Sequence, residues 1–518
     1  MKRNASLSLP SRDGKGAVPS LIALFVISAA AALAATPDLR LIQAVKNQDS
    51  AAVHSLLDHH ADVNAQQGDG ATALHWATYR DDLATADALI RAGARVDTPN
   101  DLGATPLHLA CKNRSAAMVA RLLAAKANPN AKLLDGETVL MTCARTGNAA
   151  AVKALLVHGA DAKAKEPGHD QTALMWAAAN NHADATAMLI EFGAEVRARS
   201  RSYPMTVVGE QTQRAGREEL NYTVERGGST PLLFAARSGD AKSASLLLAA
   251  GADPNDGLPD GTSALVLAAH SGHRDVALVL LDKGANPNDM GIGYSALHAA
   301  ILRSDPELVK ALLAHGADPN IRMTKGTPVR RNSTDYFLLS PLVGITPYLL
   351  AAKFLEPEIM QALLAGGADP KLTMPDGANA LMLAAGVGSP NNADRRGVNV
   401  IDFGKPEPES KVLPAVEAAF RANNDVTAAD KSGTTALHAA VTHRYETVVQ
   451  FLLEHGADVN AKNKAGITPY LALLGGPKGA VEKPAATTST GVAPAADAFE
   501  DPAADRIAAL LLKASGTQ

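Results

Sequence analysis

A threonine or serine, once an asparagine, stands ahead of a short apolar run at nearly constant intervals along this chain. The marks are Thr72, Thr105, Thr138, Thr172, Thr230, Ser263, Ser295, Thr346, Asn379, Thr435 and Thr468, with spacings of 33, 33, 34, 58, 33, 32, 51, 33, 56 and 33. Seven spacings are one period, and the other three are one period plus about 18 to 25 residues. A recurrence of this length means that each unit is one supersecondary element that cannot bury its apolar face alone and must stack on its neighbours.

Residues 432 to 463, SGTTALHAAVTHRYETVVQFLLEHGADVNAKN, show what one unit contains. Thr435 is placed to cap a helix that carries Ala436, Leu437, Ala439 and Ala440 and breaks near Thr442 and His443. A second helix, from about Tyr445 to His455, puts Val448, Val449, Leu452 and Leu453 on one face at three and four spacing, and Gly456 stops it. Both are too short to persist alone in water, so their stripes must be covered by each other and by adjacent copies. Aromatic residues make up only 4% of the chain. The expected core is therefore built from many small contacts between thin helices.

The period, the tokens TPLHLA at 105 to 110, TALHWA at 72 to 77 and TALHAA at 435 to 440, and HGAD at 158 to 161, 315 to 318 and 455 to 458 resemble the ankyrin repeat. The resemblance runs from about residue 38 to 516. It implies an all-α solenoid, two helices and a β-hairpin finger per unit, with about twelve repeats and four insertions. Residues 35–69 read as an N-terminal capping repeat without the TPLH entry, followed by repeats over 70–196, 230–320 and 345–474. The insertions at 197–229 and 321–344 fall where a finger belongs. The insertion 388–413 falls between the two helices of one repeat, and the Gly/Pro/Ala/Thr-rich run 475–503 precedes a capping helix at 504–518. His60, Lys126 and Asn423 occupy the helix-terminating glycine position, which requires a positive φ.

The first residues have a different character. Lys2, Arg3, Arg12 and Lys15 precede an apolar run from Leu21 to Ala35, and Ala32-Leu33-Ala34 fits a small-residue cleavage site. Residues 1–34 thus read as a signal peptide, with the mature chain starting at Ala35. An uncleaved signal anchor is the alternative, but the apolar run falls short of the ~20 residues needed to span a bilayer. Export would place the chain in the periplasm or outside the cell, or hold it on the inner membrane. Removing the leader's net +3 from the formal charge of −4 leaves −7, which gives no general attraction to nucleic acid or to anionic membranes. Cys111 and Cys143 fall on the first helices of adjacent repeats. Helix backbones packed roughly 8–10 Å apart are too distant for a bridge that needs Cα atoms within about 7 Å, so both read as buried small hydrophobes.

No reaction motif has its required context. HExxH, CxxC, G-x-S-x-G and P-loop patterns are missing, and DPNDGLPDG at 253 to 261 lacks the acidic twelfth residue of a calcium loop. No cofactor, no metal site and no enzymatic activity are expected. The resemblance implies that His75, His108, His298 and His438 tie successive hairpins by hydrogen bonds. Trp76, Trp176 and Phe234 share one offset and read first as core. A row along the ends of the first helices carries the cations Arg80, Lys112, Arg145, Arg237, His270, Arg303 and Lys353, interrupted at Ala179-Asn180 and without an acidic residue in it. In the ankyrin fold this helix lines the concave groove, so the row would form a basic stripe for a protein partner with an acidic segment. Tyr336 and Phe337, with Leu338, are the apolar candidates on the second finger. The expected function is a monomeric, non-catalytic protein-binding scaffold. The alternative is a membrane-tethered spacer or inhibitor.

Overall fold

A computed structural model describes residues 38–208, 221–327, 338, 340–388, 407–475 and 502–516. The leader, the finger residues Tyr336 and Phe337 and most of the insertions at 388–413 and 475–503 lie outside the described residues. Within them the chain is an all-α ankyrin solenoid, with 24 α-helices running as consecutive pairs. The pairs are Arg40–Lys46 with Ser50–Asp58, Ala73–Tyr79 with Leu83–Arg91, Pro106–Lys112 with Ala116–Ala124, Val139–Thr146 with Ala149–Val157, and Ala173–Ala179 with Ala183–Glu191. After the first finger come Pro231–Ser238 with Ala241–Ala249, Ala264–Ser271 with Arg274–Asp282, and Ala296–Leu302 with Pro306–Ala314. The last four are Pro347–Lys353 with Pro357–Ala365, Ala380–Ala384 with Glu409–Arg421, Ala436–Thr442 with Glu446–Glu454, and Pro469–Leu473 with Pro502–Ser515.

Every first helix packs on the next first helix, and every second helix on the next second helix, so the molecule is two continuous layers. The layers are filled as the sequence requires. Leu89, Leu122, Leu155, Leu189, Leu247 and Leu280 form a column in the second-helix layer with no exposed surface. Alanines at matching offsets, Ala77, Ala110, Ala177 and Ala235, are equally enclosed in the first-helix layer. Small side chains there let the backbones approach closely.

The helices start where their caps stand. Thr72, Thr138, Thr172, Thr230, Thr346 and Thr468 each accept a first-turn N–H through the side chain. Asp49, Asp82, Ser115, Asn148, Asp240 and Asp305 do the same for second helices. His75, His108, His298 and His438 complete the caps of their own helices. The Thr72 N–H donates to His75 Nδ1 at 3.1 Å, and the far nitrogen Nε2 reaches the Ala104 carbonyl of the next repeat at 3.0 Å. His438 repeats the arrangement with Thr435 and the Ile467 carbonyl, at 3.3 and 3.0 Å. Because Nδ1 accepts, Nε2 carries the proton and donates it across the repeat junction. His75, His298 and His438 therefore tie successive units together, whereas the buried Nε2 of His108 finds no hydrogen-bond partner, so that ring completes its own helix cap without making the expected tie.

Two departures from the sequence reading have clear causes. Cys111 and Cys143 are joined in a disulfide, with Cα atoms 4.6 Å apart. Axis spacing was the wrong yardstick for facing residues. Each Cα lies about 2.3 Å off its helix axis, so axes about 8–10 Å apart bring facing Cα atoms to roughly 3.5–5.5 Å. The other departure is in the tenth repeat, whose second helix begins at Glu409 and carries Pro414 inside its second turn. Proline reads as a boundary in sequence, yet here it removes one helical hydrogen bond while Glu409 gains others outside the helix. Its carboxylate accepts from the N–H groups of Glu446 and Thr447, both at 2.8 Å, and so caps the next repeat's second helix, whose own N-cap Tyr445 makes no side-chain cap.

His60, Lys126 and Asn423 do take positive φ, at 56°, 68° and 67°. Lys126 is exposed. Lys126→Gly is expected to raise stability by about 0.5–1 kcal/mol, since relief of left-handed strain outweighs the added freedom of the unfolded chain. A urea midpoint equal to or below wild type would show that the turn is unstrained.

The first finger is an antiparallel pair, β1 (Tyr203–Val208) and β2 (Asn221–Arg226), with Tyr203 opposite Arg226. It stands between the fifth and sixth repeats without parting them, because helices Ala173–Ala179 and Pro231–Ser238 remain in contact. Ser200 and Ser229 close its base, the Ser200 N–H donating to the Ser229 carbonyl and the Ser229 N–H to Ser200 Oγ, each at 3.0 Å. In the second insertion Leu338 is fully buried, so it belongs to the core and not to a contact surface.

Candidate functional site

Seven of the first helices carry the candidate row, because a cation in the last turn or at the C-cap suits the negative end of the helix dipole. The described structure divides the row in two. Arg80, Lys112, Arg145 and Arg237 are exposed, whereas His270, Arg303 and Lys353 are half-buried. Arg303 Nε donates to the His270 carbonyl at 2.7 Å, and the His270 ring lies 6.0 Å from that of Tyr294. Lys353 Nζ donates to the Gly388 carbonyl at 3.3 Å, and burial pushes its pKa down to about 8. Those three bind the stack, so the outward-facing stripe is shorter than the sequence suggested.

Aromatic rings interleave with the exposed half. Lys46 Nζ sits 4.4 Å from the Trp76 ring centroid, and Tyr79 meets the same indole edge-on at 5.7 Å. Arg145 stacks over Trp176 at 5.1 Å. Both indoles are half-buried, so they belong partly to the core and partly to this face. Arg145 is not a free charge, because its Nη2 donates to Glu137 at 2.9 Å and that carboxylate also accepts from Thr142 Oγ1 at 2.7 Å. Glu137 was invisible as a partner in sequence since it lies just ahead of the helix cap Thr138, eight residues from Arg145. Arg80 Nη2 reaches back to the Lys46 carbonyl at 3.1 Å. Lys112 has no ion pair among the described residues.

Where the first finger meets the row, a cleft of about 300 Å³ opens, lined by His169, Arg201, Met205, Arg226, Phe234 and Arg237 among others. Arg226 ends β2, and the turn at Gly227-Gly228 folds it back toward Arg237. Both glycines have positive φ, 80° and 65°, and a side chain on Gly227 would strike the Arg201 carbonyl. That turn is the signal sequence reasoning missed. The other motifs resolve into structure: His273 Nε2 binds the Arg237 carbonyl at 3.0 Å, and in the aspartate-rich run Asp256 pairs with Arg199 and Thr230.

The ankyrin repeat family profile matches residues 41–133, 116–200 and 232–323 in its multi-repeat form, and residues 432–464 as a single repeat. Together these matches span more than half of the chain. The chain belongs to the ankyrin repeat family. A curated human relative, NF-kappa-B inhibitor alpha, is 31% identical over 170 residues, which cover 33% of this chain and 44% of the relative. The match therefore spans less than half of that relative's length, and what its name says of NF-kappa-B concerns that protein. Ankyrin repeats are interaction modules, and their presence implies a protein–protein interaction role for the repeats of this chain. No helix among the described residues is long and apolar enough to cross a membrane.

Proposed function

We propose that this ankyrin repeat protein is an exported, non-catalytic scaffold that binds an acidic segment of a protein partner along the ends of its first helices. The observation that carries the reading is the exposed run Arg80, Lys112, Arg145 and Arg237, interleaved with the faces of Trp76 and Trp176. Cations beside aromatic faces are a common composition of binding surfaces, and a positive face on a net acidic protein selects partners by charge. The first finger extends this face. The Cys111–Cys143 bridge supports export, since disulfides persist in oxidising compartments and are rare in the cytosol. The leader supports the periplasm or the cell exterior as the location, with the protein acting as a monomer.

Capture of partners from the native envelope fraction, at low and high salt, tests this reading. Arg80→Glu with Lys112→Glu is expected to reduce capture at least tenfold at low salt while leaving the unfolding midpoint nearly unchanged, because neither side chain holds the core. Capture that withstands both high salt and the double change would remove the basic face as the site.

A further inference from the structure

The cleft at the base of the first finger holds two guanidinium groups that form no ion pair among the described residues. Arg226 comes from the end of β2 and Arg237 from the last turn of helix Pro231–Ser238, and both line the same space. The Nε of Arg226 is buried with no hydrogen-bond partner. Arg237 keeps an exposed surface, yet the walls of the cleft remove part of its water and, with the charge of Arg226 next, hold it below the usual arginine range against the opposing charge of Asp260.

The acidic groups around the cleft are already engaged. Asp170 pairs with the third guanidinium, Arg201, at 2.9 and 3.0 Å. Glu166 accepts from the N–H groups of Gly168, His169 and Gln171 at 2.6 to 3.0 Å. Asp260 accepts from the Thr262 N–H and hydroxyl at 2.9 and 2.7 Å. Among the described residues, neither Arg226 nor Arg237 has an acidic partner. A buried donor without an acceptor and two like charges side by side are both unfavourable, and entry of one oxyanion relieves both.

The rest of the lining narrows the ligand. Phe234 and Met205 are half-buried beside the guanidinium groups. An inorganic anion would leave them uncovered, whereas a carboxylate next to a small apolar group covers them.

We propose that this cleft is a carboxylate pocket, in which Arg226 and Arg237 hold the oxygens of a peptide carboxylate while Phe234 and Met205 pack against the adjoining apolar side chain. This deepens the reading of the face as protein-binding and names where an acidic partner is anchored. Forked guanidinium donors suit a carboxylate better than an ammonium would.

The test uses the purified full chain and small probes, with binding followed by ligand-observed NMR. N-acetyl-leucine presents a terminal carboxylate, N-acetyl-glutamate α-amide a side-chain carboxylate, and N-acetyl-leucinamide no charge; inorganic phosphate is the bare anion. At least one carboxylate probe should bind at least tenfold more tightly than the neutral amide and more tightly than phosphate, and the tighter of the two identifies the source. Arg237→Gln and Arg226→Gln should each weaken it at least tenfold, and Arg237→Lys should weaken it less than Arg237→Gln. Thermal midpoints equal to wild type establish that the variants are folded. Equal binding of amide and acid, tighter binding of phosphate, or no change in folded Arg237→Gln would overturn the pocket. Arg80→Glu with Lys112→Glu lies outside the cleft and should leave probe binding intact. Failure of the pocket is therefore distinguishable from failure of the wider binding face.

Discussion

Acidification from pH 7 to about pH 4 is expected to destabilise the solenoid by several kcal/mol, with the loss beginning near pH 6.5. His298 is completely buried, its Nδ1 accepting the Ser295 N–H at 3.3 Å and its Nε2 facing the Ile345 carbonyl at 3.4 Å. Burial pushes its pKa down to about 4. His108 is likewise depressed by burial to about 4, and His75 and His438 are lowered for the same reason. As pH falls through 6.5 the unfolded chain takes up protons that the folded chain refuses. Stability contributed by these rings is thus fully present above 6.5 and disappears as pH falls toward the folded value. At about 1.4 kcal/mol per unit, His298 and His108 each account for roughly 3 kcal/mol at most. Protonation would also set an Nδ1–H against the capping N–H it now accepts. Urea midpoints across this range measure the effect, and His298→Gln should flatten the slope between pH 6.5 and 5. A wild-type midpoint constant over that interval would mean that the rings accept protons without loss of the junctions.

Opening the Cys111–Cys143 bridge is the second large perturbation. The cysteines are 32 residues apart in sequence. Closing a loop of this length in the unfolded chain corresponds to roughly 3–4 kcal/mol on the chain-entropy account. Cys111→Ala with Cys143→Ala also removes two buried sulfurs from a tightly filled layer, at a further cost of about 1 kcal/mol. The loss should appear first in the third and fourth repeats, because each unit touches only its neighbours. Hydrogen exchange with and without reductant would show protection falling at 106–112 and 139–146 before the distant repeats. Uniform protection in both states would mean that the bridge adds nothing to the folded junction.

The solenoid was legible in the sequence because its determinants are local. A threonine cap, an apolar stripe at helical spacing and a terminating glycine sit within one repeat, and their recurrence announces the stack. What lay across repeats was harder to see. The disulfide depended on the distance between facing residues of neighbouring helices, and Glu137 beside Arg145 on how a loop returns. Asn130 joins successive turns, with its side chain donating to the Gly159 carbonyl at 2.9 Å and accepting the Asp161 N–H at 2.8 Å. Asn288 does the same four repeats further along, to the Gly316 carbonyl and the Asp318 N–H, at 2.9 and 2.7 Å. Both asparagines follow an A-[ND]-P token that the repeat comparison passed over. In the candidate site, the row of cations could be read by offset, but its division into exposed and stack-bound halves could not. Charge is written in the sequence, whereas the burial of Lys353 and the pairing of Arg145 arise only from packing.

A stack of near-equivalent units also has a response to tension, and the single covalent cross-tie alters it. Pulled from its two ends, an array held only by neighbour contacts can lose its units one after another from whichever terminus yields first. With Cys111 and Cys143 joined, the force path jumps from the third repeat's first helix directly to the fourth's. The intervening chain, worth roughly 100 Å of extended length at about 3.3 Å per residue, is shielded from the load. The fully stretched protein would fall short of its contour by that amount, and the element between the cysteines would be the last to feel the pull.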